Sequence, residues 1–343
     1  MPEPAGEETL EAVIKAVLEE KQTKPMGSAD FQLFQKLELL VTKGSLKDQK
    51  IVVENGNIPV ANSLKYKAGD RVMILFGKDF EGNDSFYIID YIRRGSLTWL
   101  FLIFVVLTVV IAKWRGLLSL VGMGISFLVI FSFILPGISS GQSPVGIAIL
   151  GSLIIVPVSF FLSHGFNQKT VVAIGGTFIA LVITGILSGV FVEAAKLTGF
   201  ASEEAAFLQV ERQGALNIRG LLLAGIIIGV LGVLDDITVS QSAIVFQLKE
   251  TDKKLKFNEL YRRAMNVGRD HISSMVNTLV LVYTGAALPL LLLFVGNPHP
   301  FSEIINYEII ADEVVRTLVG SIGLILAVPI TTFIASLVVE KKT

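Results

Sequence analysis

The sequence predicts an all-α polytopic membrane bundle of about seven transmembrane helices behind a small N-terminal β domain. Three observations predict it. Of 343 residues, 52% are hydrophobic and 17% charged, whereas a soluble chain carries about 25% charged residues. Apolar runs near the length of a membrane span recur from residue 97 onward. Between residues 30 and 92, short alternating runs are separated by turn residues. The formal net charge of −1 gives no reason to expect a nucleic-acid partner, and the lipid bilayer is the expected one. With no cysteine, there is no disulfide and no thiolate nucleophile. The three histidines, His164, His271 and His299, are scattered and form no metal-ligand spacing, so neither a metal nor a cofactor is expected.

In chain order, residues 1–28 read as a charged leader and linker without a signal-peptide pattern. Its apolar patch at residues 10–18, broken by Glu11 and Lys15, reads as a short amphipathic helix or a tail. Residues 30–92 read as a small β-barrel or sandwich, with turns at Lys43-Gly44, Asn55-Gly56-Asn57, Ala68-Gly69-Asp70 and Glu81-Gly82-Asn83-Asp84. The transmembrane domain follows at 97–338, with spans near 97–112, 116–135, 145–163, 171–191, 220–243, 273–295 and 314–338. Glycines at 225, 229, 320 and 323 favour closely packed helices.

Lysine and arginine set the orientation. Residues 249–269 hold Lys249, Lys253, Lys254, Lys256, Arg262, Arg263 and Arg269, while 296–313 hold neither type. The basic segment 249–271 and the C-terminus are therefore expected in the cytoplasm, which places the β domain outside it. A β domain outside, without a visible export signal, leads to the expectation of a further membrane helix upstream. Within 249–271, Phe257, Leu260, Tyr261 and Ala264 share one face, which reads as an amphipathic helix on the inner leaflet.

Asp235 and Asp236 carry the strongest chemical signal. They stand inside the span 220–243, where a carboxylate costs roughly 2.5–3.5 kcal/mol on insertion scales. Two carboxylates this close in a low dielectric do not both ionise freely, and a carboxyl poised between its two states suits a proton or ion relay. Thr238 and Ser240 follow on the same helix as possible hydrogen-bond partners. On the next span, His271, Ser274 and Thr278 share a face, with Asn277 one turn in, and this stripe is expected to line or satisfy the acids. Arg316 reads as snorkelling to the outer interface.

The strings GVLGVLDDITVSQ, RRAMNVGRDHISSMVNTLVLVYTGAALPLLLLF and VVRTLVGSIGLILAVPITT, with AKWRGLLSLVG, HGFNQKT and RGLLLAGIIIGVLG, resemble the YibE/F family of bacterial membrane proteins over about residues 45–337. That resemblance implies a multi-pass protein of the bacterial cytoplasmic membrane, and its members commonly carry a helix ahead of the β region. A looser resemblance joins the Leu-Asp-Asp-Ile stretch, the basic segment and the polar-faced span to resistance-nodulation-division (RND) transporters and their SecD/SecF branch. It implies that Asp235 and Asp236 carry protons, and that a second copy or a paralogous partner supplies a second half. The chain departs from that pattern in having no second six-helix half and no large domain between its first two spans.

The expected function is a proton- or ion-coupled transporter or export factor, not an enzyme. One alternative is a non-enzymatic scaffold that recruits envelope partners through the β domain. Another is an intramembrane aspartyl hydrolase, but that chemistry needs two facing acids, and neighbours on one helix point about 100° apart.

Overall fold

The computed structural model describes residues 8–24, 31–57, 64–78, 82–212, 214–296 and 299–340. The chain forms two compact units, Met1–Val106 and Leu107–Thr343.

The first unit is built on β1 (Glu8–Thr23), β2 (Gln32–Lys43), β3 (Lys50–Asn55), β4 (Arg71–Lys78) and β5 (Asp84–Tyr91). They make one antiparallel sheet in the order β3-β2-β1-β4-β5. Alternate residues fill its core: Leu10, Ala12 and Ile14 of β1, Leu37, Leu39 and Val41 of β2, and Val72 and Ile74 of β4. Register shifts in the β1–β2 pair bend the long strands, and the edge strands β3 and β5 approach each other. The sheet is therefore curled towards a barrel, as the turn spacing predicted. Buried Gln35 ties the 64–70 connection to the sheet: its Nε2 donates to Tyr66 O (3.0 Å) and its Oε1 accepts from Tyr66 N (2.8 Å).

The expected leader is corrected here. Residues 8–23 are not a helix or a tail but the central strand of the sheet, hydrogen-bonded to β2 on one side and β4 on the other. Residues 1–7 and 25–30 of that stretch lie outside the described residues.

The helices are α1 (Arg94–Val129), α2 (Leu135–Ser139), α3 (Pro144–His164), α4 (Gln168–Ala194), α5 (Glu203–Glu211), α6 (Ile218–Thr251), α7 (Phe257–Ala286), α8 (Leu288–Leu292), α9 (Phe301–Ile304) and α10 (Glu308–Glu340). A π turn, Ile130–Ile134, joins α1 to α2. Side chains cap several N-termini: Ser143 Oγ accepts from Gly146 N, Asn167 Oδ1 from Thr170 N and Asn217 Oδ1 from Gly220 N.

Among the described residues, five helical stretches are long and apolar enough to cross a membrane, against the seven spans expected: Arg94–Ser139, Pro144–His164, Gln168–Ala194, Ile218–Thr251 and Glu308–Glu340. Two physical reasons account for the difference. The 46-residue stretch Arg94–Ser139 is counted once but consists of two helices joined at a break at Lys113 (φ 54°, ψ −134°), at the boundary expected between spans 97–112 and 116–135. At that break a Cβ on Gly116 would lie 2.4 Å from Thr108 O, so only glycine fits. The expected span 273–295 is cut where α7 ends at Ala286, because Pro289 sits in the first turn of the next helix.

The centre of the second unit is α4, α6 and α10. Their contact faces are polar for a membrane bundle: Thr177, Thr184 and Ser188 of α4, Thr238, Gln241 and Ser242 of α6, and Thr331, Thr332 and Ser336 of α10 are all fully buried. Backbones meet closely across this seam. A Cβ on Gly176 would lie 2.2 Å from Thr331 Oγ1, and one on Gly323 would lie 2.1 Å from Thr184 Oγ1. The two contacts are reciprocal and fix α4 antiparallel to α10. Without a hydrophobic drive between helices in lipid, such small-residue packing and interhelical hydrogen bonding hold a bundle together.

The basic segment also differs from expectation. It is the end of α6, a turn, and the start of α7. Leu260 and Ala264 are buried against Val172, Val245, Ala335 and Val339, and Phe257 meets Phe333 edge-on at 5.5 Å. The apolar face expected on the inner leaflet is docked on the bundle instead.

Candidate functional site

Asp235 and Asp236 lie in α6, and the two side chains have different surroundings. Asp236 is exposed, whereas Asp235 is half-buried and its Oδ1 is buried without a hydrogen-bond partner. The nearest group of opposite character is His164, the last residue of α3, with Nε2 at 3.8 Å from Asp235 Oδ1. That separation allows an ion pair when the ring is protonated, but not a hydrogen bond. Arg115 and Asp236 are the other charged groups within electrostatic reach of this pair.

Helix geometry fixes the level of the pair. α3 and α6 start together, since a Cβ on Gly220 would lie 3.2 Å from Pro144 Cδ. α3 has 21 residues, which is about 30 Å at 1.5 Å per residue, the thickness of a hydrocarbon core. His164 closes α3, and its ring reaches Asp235 from that end, while Asp235 itself stands 15 residues, about 22 Å, along α6 from Gly220.

The partners read from sequence divide. Thr238 is fully buried, bonded to Thr177 Oγ1 at 2.8 Å and donating to Leu234 O at 2.9 Å, so it joins α6 to α4. Ser240, Ser274, Asn277 and Thr278 are exposed and His271 is half-buried. Thr278 Oγ1 donates to Ser274 O at 3.0 Å within its own helix. Among the described residues, no hydrogen bond or ion pair joins the α7 stripe to either aspartate. The stripe has the expected periodicity, and its Ser274, Asn277 and Thr278 lie on an exposed face of α7.

Three groups have a structural or chemical weight that the sequence reading did not give them. His164 is one; its place in HGFNQKT, directly after a span, was the available signal. Gln241 is another. Its Nε2 donates to Ala264 O (3.0 Å) and Thr332 Oγ1 (2.8 Å), tying α6, α7 and α10. The third is Arg316, read as snorkelling, which stands beside two acids. Its Nη2 lies 3.4 Å from Asp312 Oδ2 and its Nε 3.5 Å from Glu313 Oε1. These three residues line a cavity of about 690 Å³ with residues of α6, α7 and α8. Gly225 of α6 faces Arg316, since a Cβ there would lie 3.8 Å from its Nη1. Gly225 precedes Asp235 by 10 residues, about 15 Å along the helix. One helix thus carries the acid at its middle and a cavity wall near its start.

No curated protein and no solved structure matches the chain. The family described as YibE/F-like protein matches residues 100–341, which cover every described helix of the second unit and most of α1. A multi-pass arrangement of apolar helices, with the Asp-Asp stretch and His164 inside the matched region, agrees with that assignment. The chain belongs to the YibE/F-like family.

Proposed function

We propose that this protein is a proton- or ion-coupled membrane transporter or export factor, with Asp235 as its coupling group and His164 and Asp236 beside it. One observation carries the reading. Asp235 Oδ1 is buried without a hydrogen bond, yet an imidazole stands 3.8 Å away. A structural carboxylate at membrane depth is expected to be fully hydrogen-bonded. An acid left partly unsatisfied next to a titratable base can bind and release a cation or proton as the helices shift.

In this reading the protein is a carrier rather than an enzyme. It lies in a bacterial cytoplasmic membrane with the α6–α7 turn and the C-terminus in the cytoplasm. The seven lysines and arginines of 249–269, against none in 296–313, support that orientation. The α7 residues Ser274, Asn277 and Thr278, exposed on this chain, are free to meet a second copy or a paralogous membrane partner. The likeness to RND transporters rests on the sequence of the Leu-Asp-Asp-Ile stretch, the basic segment and the polar-faced span.

The test is proton flux into proteoliposomes under an imposed pH gradient, for wild type, Asp235→Asn and His164→Gln. Wild type should dissipate the gradient, and both variants should slow it at least tenfold while melting within a few degrees of wild type. Flux in Asp235→Asn equal to wild type, or no flux above protein-free vesicles, refutes the relay.

A scaffold role has one observation in its favour: the β region is a compact unit with its own buried core. Loss of a cellular phenotype on removing residues 30–92, with none on Asp235→Asn, would select that role.

A further inference from the structure

We infer that the cavity between the first turns of α6 and α10 and the end of α7 binds a small ammonium compound, a protonated amine on an apolar body. The inference rests on the transport reading only for its biological purpose, since it names the class of substrate.

Shape is the first argument. The cavity of about 690 Å³ is walled by Leu221, Leu222, Ala286 and Leu290, a volume within the range of small-molecule sites. Its wall at residues 198–203 is held in place, not draped. Glu308 accepts from Thr198 N (2.6 Å), Thr198 Oγ1 (2.7 Å) and Gly199 N (3.0 Å). Gly199 has φ +86°, and a Cβ there would lie 2.8 Å from Ile218 O, so glycine is required where this segment crosses α6. A site with fixed walls needs little ordering on binding.

Charge is the second argument. Four carboxylates line the cavity, Glu203, Glu204, Asp312 and Glu313, against one guanidinium, Arg316. Arg316 stands at ion-pair distance from Asp312 and Glu313, its Nη2 bonded to Asp312 and its Nε without a hydrogen-bond partner, so the lining still carries three uncompensated negative charges. An anion entering here would meet uncompensated negative charge, and a cation would relieve it.

The third argument selects the kind of cation. Asp312 is 7% exposed, and its Oδ1 has no hydrogen-bond partner although Oδ2 faces Arg316 at 3.4 Å. A buried acceptor without a donor is costly, and a charged N–H donor satisfies it best. A primary or secondary ammonium supplies that donor, whereas a quaternary ammonium does not. The apolar walls take the remainder of the molecule.

The experiment is equilibrium binding to the full chain in nanodiscs at neutral pH, with no gradient, so its outcome is independent of proton flux. The probes are 2-phenylethylamine, phenylacetate and phenylalanine, which share a ring and differ in charge. Saturable binding of the amine, at least tenfold tighter than the other two, is expected. Asp312→Asn should weaken it at least tenfold. Glu203→Gln with Glu204→Gln, at exposed positions that leave the fold alone, should weaken it about threefold, with the loss abolished in high salt. No saturable amine binding, equal binding of phenylacetate or phenylalanine, or an affinity unmoved in the Glu203/Glu204 variant overturns the inference. Amine binding without proton flux upholds the site and refutes the relay, and the reverse result does the opposite.

Discussion

Replacing Gly323 by alanine tests the seam on which the helical unit is built. The new Cβ would lie 2.1 Å from Thr184 Oγ1 and 3.2 Å from Thr184 Cβ. Thr184 has little room to yield. It is fully buried, its Oγ1 donates to Ala180 O at 2.8 Å, and a β-branched side chain on a helix has few rotamers. The methyl must push α10 from α4 or break that bond, an overpacking cost of about 1–3 kcal/mol. Thr184→Ala removes the colliding hydroxyl and leaves only the 3.2 Å contact, which a small shift absorbs. The double variant should therefore regain more than half of the loss, a coupling of about 1 kcal/mol between touching residues. Unfolding in mixed detergent–SDS micelles, followed by circular dichroism, gives all four corners of the cycle. A stable Gly323→Ala variant, or additive effects in the double variant, would refute this register of α4 on α10.

Two further predictions follow from single interactions. Gln241→Leu removes both donors of the bonds to Ala264 O and Thr332 Oγ1; it should cost about 1–3 kcal/mol in the same assay and raise hydrogen exchange at the start of α7. In the β unit, hydrogen bonds from Arg94, Lys65, Lys36 and Arg93 hold the carboxyls of Glu11, Glu20, Glu54 and Asp90 below their usual values. The folded unit thus binds fewer protons than the unfolded chain, so this contribution is present above the ordinary carboxylate pKa values and is lost as pH falls through the lowered ones. Amide exchange of β1 and β2, corrected for intrinsic rate, should show protection falling with pH below about 4.5. Protection that instead rises in that window would contradict the pairing.

The helices of the second unit were legible where one apolar face is long and unbroken. The expected spans 145–163, 171–191, 220–243 and 314–338 lie inside α3, α4, α6 and α10. β1 was misread although its pattern is plain in hindsight. Leu10, Ala12 and Ile14 alternate and are fully buried or nearly so, but Glu, Ala, Lys and Leu are strong helix formers. Pairing on both edges overrode that propensity, and local sequence does not display such pairing. The α7 stripe failed for the converse reason. Periodicity places Ser274, Asn277 and Thr278 on one face, and only tertiary packing decides which way the face turns. The same holds for His164, remote in sequence from Asp235, and for Arg316, whose cavity is assembled from five helices and a loop.

α6 and α10 together link the two ends of the helical unit. α6 carries Asp235 and faces Arg316 at Gly225, while α10 carries Asp312 and Arg316 and meets α6 again through Thr332 and Gln241. A cation settling against Asp312 acts on the first turns of α10, and a proton on Asp235 acts on the middle of α6. Any coupling between them has to be reciprocal: the factor by which the amine changes proton affinity equals the factor by which the proton changes amine affinity. The packed seam favours discrete over graded movement, because cores at crystal-like density switch between arrangements more readily than they deform. The α4–α10 register is pinned by the two glycine–threonine contacts. The freer joint is therefore α6 against α3, where Asp235 and His164 stand 3.8 Å apart without a bond. A shift of less than 1 Å would close that gap to hydrogen-bonding distance, which makes this pair the place where the proposed proton relay would most cheaply become movement.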